Sequence, residues 1–173
     1  CDLVFGEPSL IGQVLNQLPN VVWVQSTWAG VEPLTTAHIR HDYLLTNVRN
    51  VYGKLISEYV FGYLLMVERQ ILPRWQSQLS AIWDSRLSGT LNRKLIGLLG
   101  VGSIGTHIAG TARQFGMRVY GYTRKNERSK DVEKYFHDEG WRKFAEDLDY
   151  LICTLPGTPA TKQLVNAEFI SAL

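Results

Sequence analysis

A glycine-rich hexapeptide in the second half of the chain has the spacing of a turn that binds a dinucleotide. Gly100, Gly102 and Gly105 form G-x-G-x-x-G between the apolar run at 95–99 and a segment of helical periodicity at 104–115. The first glycine permits a tight bend, the second lets a pyrophosphate approach the backbone, and the third lets the helix pack against the strand. Backbone N–H groups at the start of the helix then face the phosphate charge. The predicted cofactor contacts here are Gly100, Gly102, Ser103, Ile104 and Gly105.

The end of the next apolar run, at 117–122, indicates which dinucleotide is bound. The run ends in Thr123, Arg124 and Lys125, whereas sites for NAD carry an Asp or Glu at about this distance, roughly 20 residues on. A hydroxyl and two cations bind a 2′-phosphate through charge-assisted hydrogen bonds, and arginine is suited to two-point contact. We therefore predict a preference for NADP(H), with NAD as the alternative. In the other interpretation, Arg124 and Lys125 are only exposed cations of a loop.

Composition excludes several classes of protein. The chain has 173 residues, of which 45% are hydrophobic and 20% charged, with a net charge of +2. These values are typical of a globular protein, and the mixed signs leave no basic stripe for nucleic acid. The longest nearly apolar run, at 59–67, is shorter than the ~20 residues of a membrane span. Because Cys1 and Cys153 are the only cysteines, we expect neither a disulfide framework nor a metal site, and we predict a cytoplasmic location.

The order of apolar runs predicts the elements that position the glycine-rich turn. Short apolar runs at 3–5, 21–24, 43–45 and 95–99 are each bounded by turn residues, and helical spacing at 10–18 separates the first two. Such alternation predicts parallel sheets of an α/β protein. A long helix is predicted at 52–69, and Pro73 interrupts the helical pattern after it. A second helix is predicted to follow through Trp83. The charged stretch at 126–139 is predicted to be a solvated loop or helix face.

Several motifs together resemble the D-isomer-specific 2-hydroxyacid dehydrogenases, especially their glyoxylate/hydroxypyruvate reductase branch. They are the run at 18–26 followed by A-G-V-E at 29–32, Thr46-Asn47 with the helix start at 52–60, Trp83, and L-P-G-T-P-A-T at 155–161. The resemblance implies a Rossmann-type nucleotide-binding domain and a flavodoxin-like α/β substrate domain, both incomplete here. We place a partial substrate domain with the interdomain helix at 1–75 and a partial NAD(P)-binding domain at 76–173.

The resemblance also implies roles for particular residues. Backbone amides of the loop at Ala29, Gly30 and Val31 hold the substrate carboxylate, and Trp28 walls the pocket. The alternatives are an ordinary helix-entry turn and a tryptophan that packs on the core. Glu32 stands where the family usually has Asp. Later in the chain, further cofactor contacts are implied at Leu155 and Pro156, against the adenosine, and at Thr161 or Thr158, toward the ribose or phosphate.

The resemblance places the family's catalytic Arg, Glu and His after Leu173, so we expect no catalytic residue in this chain and no turnover by it alone. None of the four histidines present, His38, His41, His107 and His137, has the family context. The implied reaction is hydride transfer between NADP(H) and a small 2-oxo or 2-hydroxy acid such as glyoxylate or hydroxypyruvate, by a homodimer. The alternatives are an NAD-dependent phosphoglycerate- or formate-dehydrogenase-like enzyme and a non-catalytic dinucleotide-binding regulator.

Overall fold

A computed structural model describes residues 1–124 and 129–173, within which seven strands and six α-helices are found. The strands are β1 (Leu3–Gly6), β2 (Trp23–Ser26), β3 (Leu44–Thr46), β4 (Leu95–Leu99), β5 (Arg118–Tyr122), β6 (Lys134–Phe136) and β7 (Tyr150–Cys153). The helices are α1 (Pro8–Val14), α2 (Gly53–Glu68), α3 (Ile71–Leu79), α4 (Ser103–Gln114), α5 (Trp141–Ala145) and α6 (Ala167–Ser171). The chain forms two compact units. The first comprises Cys1–Val51 with Pro156–Gln163, and the second comprises Tyr52–Leu155 with Leu164–Leu173. The predicted boundary at residue 75 stays a prediction.

The first unit contains a three-stranded parallel sheet in the order β1-β2-β3. Pro8 begins α1 at a position where its missing N–H costs nothing, and the helix packs Ile11 toward the sheet. Val24 of β2 is fully buried in the same core, whereas Phe5 of β1 is exposed. Alternate residues of a strand point to opposite faces, so one face of this sheet is covered by its own unit.

The second unit contains a four-stranded parallel sheet in the order β6-β5-β4-β7. The central strand β4 is buried at all five positions, because helices cover both faces of such a sheet. On one face, Ile108 and Ala112 of α4 contact the sheet, and α2 in turn packs on α4. The predicted parallel α/β architecture is thus confirmed, and the order β6-β5-β4-β7 corresponds to strands 3-2-1-4 of the six-stranded Rossmann order.

Two predicted elements were wrong in detail. The charged stretch contains β6 at Lys134–Phe136, a sheet-edge strand in which the Lys134 ammonium lies 4.7 Å from the centre of the Phe136 ring. Edge strands commonly carry charged side chains, lysine above all, so the charged sequence is compatible with pairing. The break after α2 occurs at Gln70, which has a left-handed φ of 51°, and Pro73 lies in the first turn of α3. Helix α3 ends at Leu79, so Trp83 lies outside it.

A polar cluster fastens the end of α2 to the amino-terminal edge of the second sheet. The hydroxyl of Tyr150 donates to Oε1 of Glu68, whose carboxylate is only 11% exposed. Nζ of Lys94 lies 2.7 Å from Oδ1 of Asp149, and the other oxygen of Asp149 accepts from the N–H of Leu95 at 2.8 Å. These bonds fix the start of β4, and therefore the strand that leads into the glycine-rich turn. Among the described residues, no helix is long and apolar enough to cross a membrane.

Candidate dinucleotide site and substrate loop

The carboxyl ends of three parallel strands meet at the glycine-rich turn in the second unit. The N–H of Gly100, directly after β4, donates to the carbonyl of Tyr122 at the end of β5 at 2.9 Å. On the other side, the N–H of Thr154, directly after β7, donates to the carbonyl of Leu99 at 2.9 Å. In open parallel sheets, ligands bind outside the carboxyl ends of the strands. The structure therefore brings the predicted turn and the residues after β5 and β7 to one edge.

The glycine-rich turn has the geometry that its glycines predict. Gly100 has a φ of +94°, a conformation that L side chains rarely adopt. A Cβ on Gly105 would lie 2.3 Å from the carbonyl oxygen of Gly100, so only glycine lets α4 approach β4 this closely. Oγ1 of Thr154 donates to that same carbonyl at 2.8 Å, and Leu155 lies against Gly100. Sequence reasoning missed Thr154, although its place directly after the apolar strand β7 is a usable signal.

The residues present fit a bound pyrophosphate. Helix α4 begins at Ser103, and its first N–H groups have no partners within the helix. No heavy atom lies within 4 Å of the position that a Cβ would take on Gly102, which leaves space for a ligand against the backbone. Ile104 is half-buried against the core of the unit and anchors the first turn of the helix. Backbone donors thus surround an open space at a helix N-terminus, the arrangement that binds phosphate.

The residues after β5 are held by the neighbouring strand β6. The N–H of Thr123 donates to the carbonyl of Phe136 at 3.1 Å, and Nδ1 of His137 lies 2.5 Å from the carbonyl oxygen of Thr123. Arg124 is exposed and forms no ion pair within residues 1–124 and 129–173. The predicted contact Lys125 lies outside the described residues.

Tyr122, the last residue of β5, sits in a partly desolvated environment. Burial raises the pKa of its phenol, and the carboxylates of Asp138 and Glu139 raise it further. Its hydroxyl donates to the carbonyl of Asp138 at 2.8 Å. Tyr122 therefore remains a neutral hydrogen-bond donor at neutral pH and forms a further link between the segments after β5 and β6.

The predicted substrate loop lies in the first unit, after β2. Oγ of the buried Ser26 accepts from the N–H of Trp28 at 3.0 Å, and Nδ2 of Asn47 donates to the carbonyl of Ala29 at 2.6 Å. The N–H groups of Gly30 and Val31 make no hydrogen bond with any residue that the structure describes. Successive unpaired N–H groups in a turn form a concave anion site. Sequence reasoning gave no role to the side chains of Ser26 and Asn47, which hold the loop through these hydrogen bonds.

Trp28 and Glu32 flank this loop. The Trp28 side chain is 57% exposed, so it does not pack in the core of its unit. Oε1 of Glu32 accepts from the N–H of Gly157 at 3.2 Å. In the segment that contains Gly157, Oγ1 of Thr161 donates to the carbonyl of Pro156 at 2.6 Å, so the Thr161 hydroxyl stabilises its own turn. The cofactor roles of Pro156 and Thr161 stay predictions.

The histidines are divided between the two units, with His38 and His41 in the first and His107 and His137 in the second. The ring of His107 lies against Gly53 at the start of α2, and Nε2 of His38 lies 3.3 Å from Oγ1 of Thr36. His41 is exposed, and His137 contacts Thr123 as described above. Within the described ranges, no three His, Cys, Asp or Glu side chains are grouped so that they could hold a metal ion.

Comparison with known proteins gives a consistent result. The family model for the NAD binding domain of D-isomer specific 2-hydroxyacid dehydrogenases matches residues 61–173. Glyoxylate/hydroxypyruvate reductase HPR3 of Arabidopsis thaliana is 25% identical over 99% of this chain and 54% of its own length. The structure of a D-isomer specific 2-hydroxyacid dehydrogenase family protein from Aeromonas salmonicida is 36% identical, with a TM-score of 0.86 over 93% of this chain and 52% of that one.

A further solved structure comes from Xanthobacter autotrophicus Py2. This D-isomer specific 2-hydroxyacid dehydrogenase, in complex with NADPH and MES, is 25% identical with a TM-score of 0.80, over 92% of this chain and 51% of its own. The present chain therefore spans about half the length of the relatives that it matches.

Proposed function

The chain belongs to the family of D-isomer specific 2-hydroxyacid dehydrogenases, which are oxidoreductases, and on that premise we propose that the protein transfers hydride between NADP(H) and a small 2-oxo or 2-hydroxy acid such as glyoxylate or hydroxypyruvate. The observation that carries this proposal is the glycine-rich turn, which leaves open space and helix N–H donors at the carboxyl ends of β4, β5 and β7. The Arabidopsis relative named as a glyoxylate/hydroxypyruvate reductase supports the substrate class.

In this proposal the second unit holds the cofactor. The backbone around Gly102, Ser103 and Ile104 binds the pyrophosphate, and Leu155 lies against the adenosine. When bound, the nicotinamide supplies or accepts the hydride, and the protein supplies orientation. The first unit contributes the carboxylate site, in which the N–H groups of Gly30 and Val31 bind the substrate anion.

The preference for NADP(H) rests on the charge at the end of β5. A carboxylate at this point would repel a 2′-phosphate, and the chain carries Thr123 and Arg124 there instead; Arg124 has no ion-pair partner among the described residues. The Xanthobacter relative, with NADPH bound, supports this choice. An arginine that binds a phosphate through two parallel hydrogen bonds contributes more binding free energy than a neutral contact, since both partners are charged.

A homodimer forms part of the same proposal. Helix α3 carries exposed apolar side chains at Leu72 and Trp75, and the segment after it exposes Trp83 at 92% and Leu87 at 95%. Apolar patches of this kind mark protein–protein surfaces. Sedimentation of the purified protein tests this point, since a monomer at micromolar concentration contradicts it.

Cofactor titration tests the proposal directly. NADPH and NADH are titrated separately and followed by nicotinamide fluorescence; we expect NADPH to bind about tenfold tighter or more, the free energy of about one charged hydrogen bond. Equal or tighter binding of NADH contradicts the preference. Arg124→Ala should reduce the ratio of the NADPH affinity to the NADH affinity toward one. The matched control is Arg113→Ala, which removes a cation from the last turn of α4 and should leave this ratio unchanged.

Turnover is a separate readout. Because the resemblance places the family's catalytic residues after Leu173, the 173-residue chain should bind NADPH without oxidising it when glyoxylate is added. Oxidation by this chain alone would contradict that expectation. A protein that joins this chain to the remaining half of its relatives' length should oxidise NADPH with glyoxylate or hydroxypyruvate, and its failure with both would overturn the proposed reaction.

A further inference from the structure

We propose that His137 is a positioning residue for cofactor selection, which fixes the backbone from which Arg124 reaches the adenosine 2′-phosphate. The inference rests on the proposed preference for NADP(H) and adds a residue that no motif of the sequence singles out. His137 follows β6, so it is separated from Arg124 by the whole segment between two neighbouring strands.

The backbone of Thr123 is held on both sides by the segment after β6. Strands β5 and β6 pair in parallel up to Tyr122 and Phe136. Beyond the last pair, the N–H of Thr123 donates to the carbonyl of Phe136 at 3.1 Å, which continues the ladder by one bond. Among the described residues, no backbone N–H donates to the Thr123 carbonyl, and its oxygen lies 2.5 Å from Nδ1 of His137. The His137 side chain therefore supplies the hydrogen bond to the Thr123 carbonyl that the backbone of β6 does not supply.

The direction of this hydrogen bond follows from its chemistry. A carbonyl oxygen only accepts, so Nδ1 of His137 carries the proton and donates, both in the neutral ring and in the imidazolium. The ring is partly buried, which shields the bond from competition by water. The contact therefore holds the peptide that joins Thr123 to Arg124 in either protonation state.

Fixing this peptide matters because of the side chain that follows it. The Arg124 guanidinium is exposed and has no ion-pair partner among the described residues, so nothing else in the described part of the chain holds it. A long side chain that is ordered only on binding costs free energy, and a fixed starting point lowers that cost. Loss of the His137 contact should therefore weaken recognition of the 2′-phosphate and leave the rest of the dinucleotide site intact.

The test compares ligands that differ by the 2′-phosphate. Binding of 2′,5′-ADP and of AMP to the 173-residue chain is measured by calorimetry, together with NADPH and NADH by fluorescence. In His137→Ala we expect the affinity for NADPH and 2′,5′-ADP to fall about tenfold, which corresponds to about 1.4 kcal/mol, with NADH and AMP unchanged.

Two substitutions separate hydrogen bonding from general damage. In His137→Asn the side-chain amide nitrogen occupies the place of Nδ1 and can donate to Thr123, so selectivity should be retained. In His137→Gln the amide lies one carbon further out, so selectivity should fall as in the alanine variant. If the alanine variant does not fold, the contrast between Asn and Gln decides the question.

Tyr122→Phe is the matched control. It removes the hydroxyl contact with the carbonyl of Asp138, which links the same two segments without touching Thr123. Selectivity should stay at the wild-type value, and an equal loss in this variant would replace the proposal by general loosening of the loops. A wild-type protein without preference for NADPH overturns the proposed cofactor and this role together. A wild-type preference that survives in both the Ala and Gln variants of His137 overturns only the role of His137.

Discussion

Alanine substitutions in the glycine-rich turn should separate stability from cofactor binding. Gly102 and Gly105 belong to the same motif, but their surroundings differ. A Cβ on Gly102 meets no heavy atom within 4 Å, and its φ of −84° is open to any residue. A Cβ on Gly105 would lie 2.3 Å from the carbonyl oxygen of Gly100, a backbone atom that the Thr154 hydroxyl holds in place.

The magnitude for Gly105→Ala follows from two opposing effects. Overpacking of a close contact costs about 1–3 kcal/mol, and replacing glycine by alanine inside a helix returns about 1 kcal/mol. Since the clashing atom is backbone, we take the upper end of the cost and expect a net loss of about 2 kcal/mol in the free energy of unfolding. For a chain of roughly 150–250 residues, such a loss lowers Tm by about 4–8 °C.

For Gly102→Ala the effect should appear in binding. Alanine is a poorer residue than glycine at the start of a helix, which costs about 0.5–1 kcal/mol of stability. The added methyl group occupies the space in which we place the pyrophosphate. Losing one hydrogen bond to a charged oxygen costs about 1.5–3 kcal/mol, so NADPH should bind roughly 10-fold to 100-fold more weakly.

The assay pairs chemical or thermal unfolding with NADPH titration on the same preparations. Gly110→Ala is the matched control, because it lies in the same helix and its Cβ would have only ordinary contact, 3.5 Å from Oδ2 of Asp131. This variant should be as stable as the wild type or more so and bind NADPH normally. Normal NADPH affinity in Gly102→Ala would refute the placement of the pyrophosphate, and a Gly105→Ala variant as stable as Gly110→Ala would refute the packing argument.

Two further predictions concern the polar cluster at the amino-terminal edge of the second sheet. Tyr150→Phe should lower the free energy of unfolding at neutral pH by about 1.5 kcal/mol, because the carboxylate of Glu68 loses a hydrogen bond. Burial and Glu68 raise the pKa of the Tyr150 phenol above 10.0, so wild-type stability should decrease as the pH rises beyond that value, and urea titrations should show a smaller decrease in the variant. Burial alone would raise the pKa of Asp149, but the Lys94 ammonium and the Leu95 N–H outweigh it and lower the pKa below 3.8. Its contribution to stability should therefore be present above that pH and decrease as the solution is acidified, and Asp149→Asn should flatten this acid limb; an unchanged limb would contradict the assignment.

The strand, turn and helix that carry the candidate site were predictable because every signal in them agrees. The run at 95–99 is apolar at each position and is buried at each position, so its continuous apolar sequence matches its environment at the centre of the sheet. The glycines at 100 and 105 are required by local backbone geometry, which the spacing of the motif encodes directly.

The parts that sequence reasoning missed depend on contacts between distant segments. Thr154 and Gly100 are separated by 54 residues, and His137 and Thr123 by 14, so no local pattern marks either pair. Strand β6 is an edge strand of only three residues, and the charged sequence on both sides of it masks the strand preference of Tyr135 and Phe136. Likewise, the helix break lies at Gln70 because the backbone turns left-handed there, a choice that a nearby proline only suggests.

The segment Pro156–Gln163 has a practical consequence for anyone who divides this chain into parts. It belongs to the first unit, where Gly157 bonds Glu32, but it is encoded inside the second. A single cut between Val51 and Tyr52 therefore removes residues 156–163 from the first unit. The same residues stay attached to the second unit as a loop that does not belong to its fold. A version of the second unit without this segment needs a linker that joins Leu155 to Leu164. The first unit, in turn, needs 156–163 supplied as an added peptide or fused after residue 51.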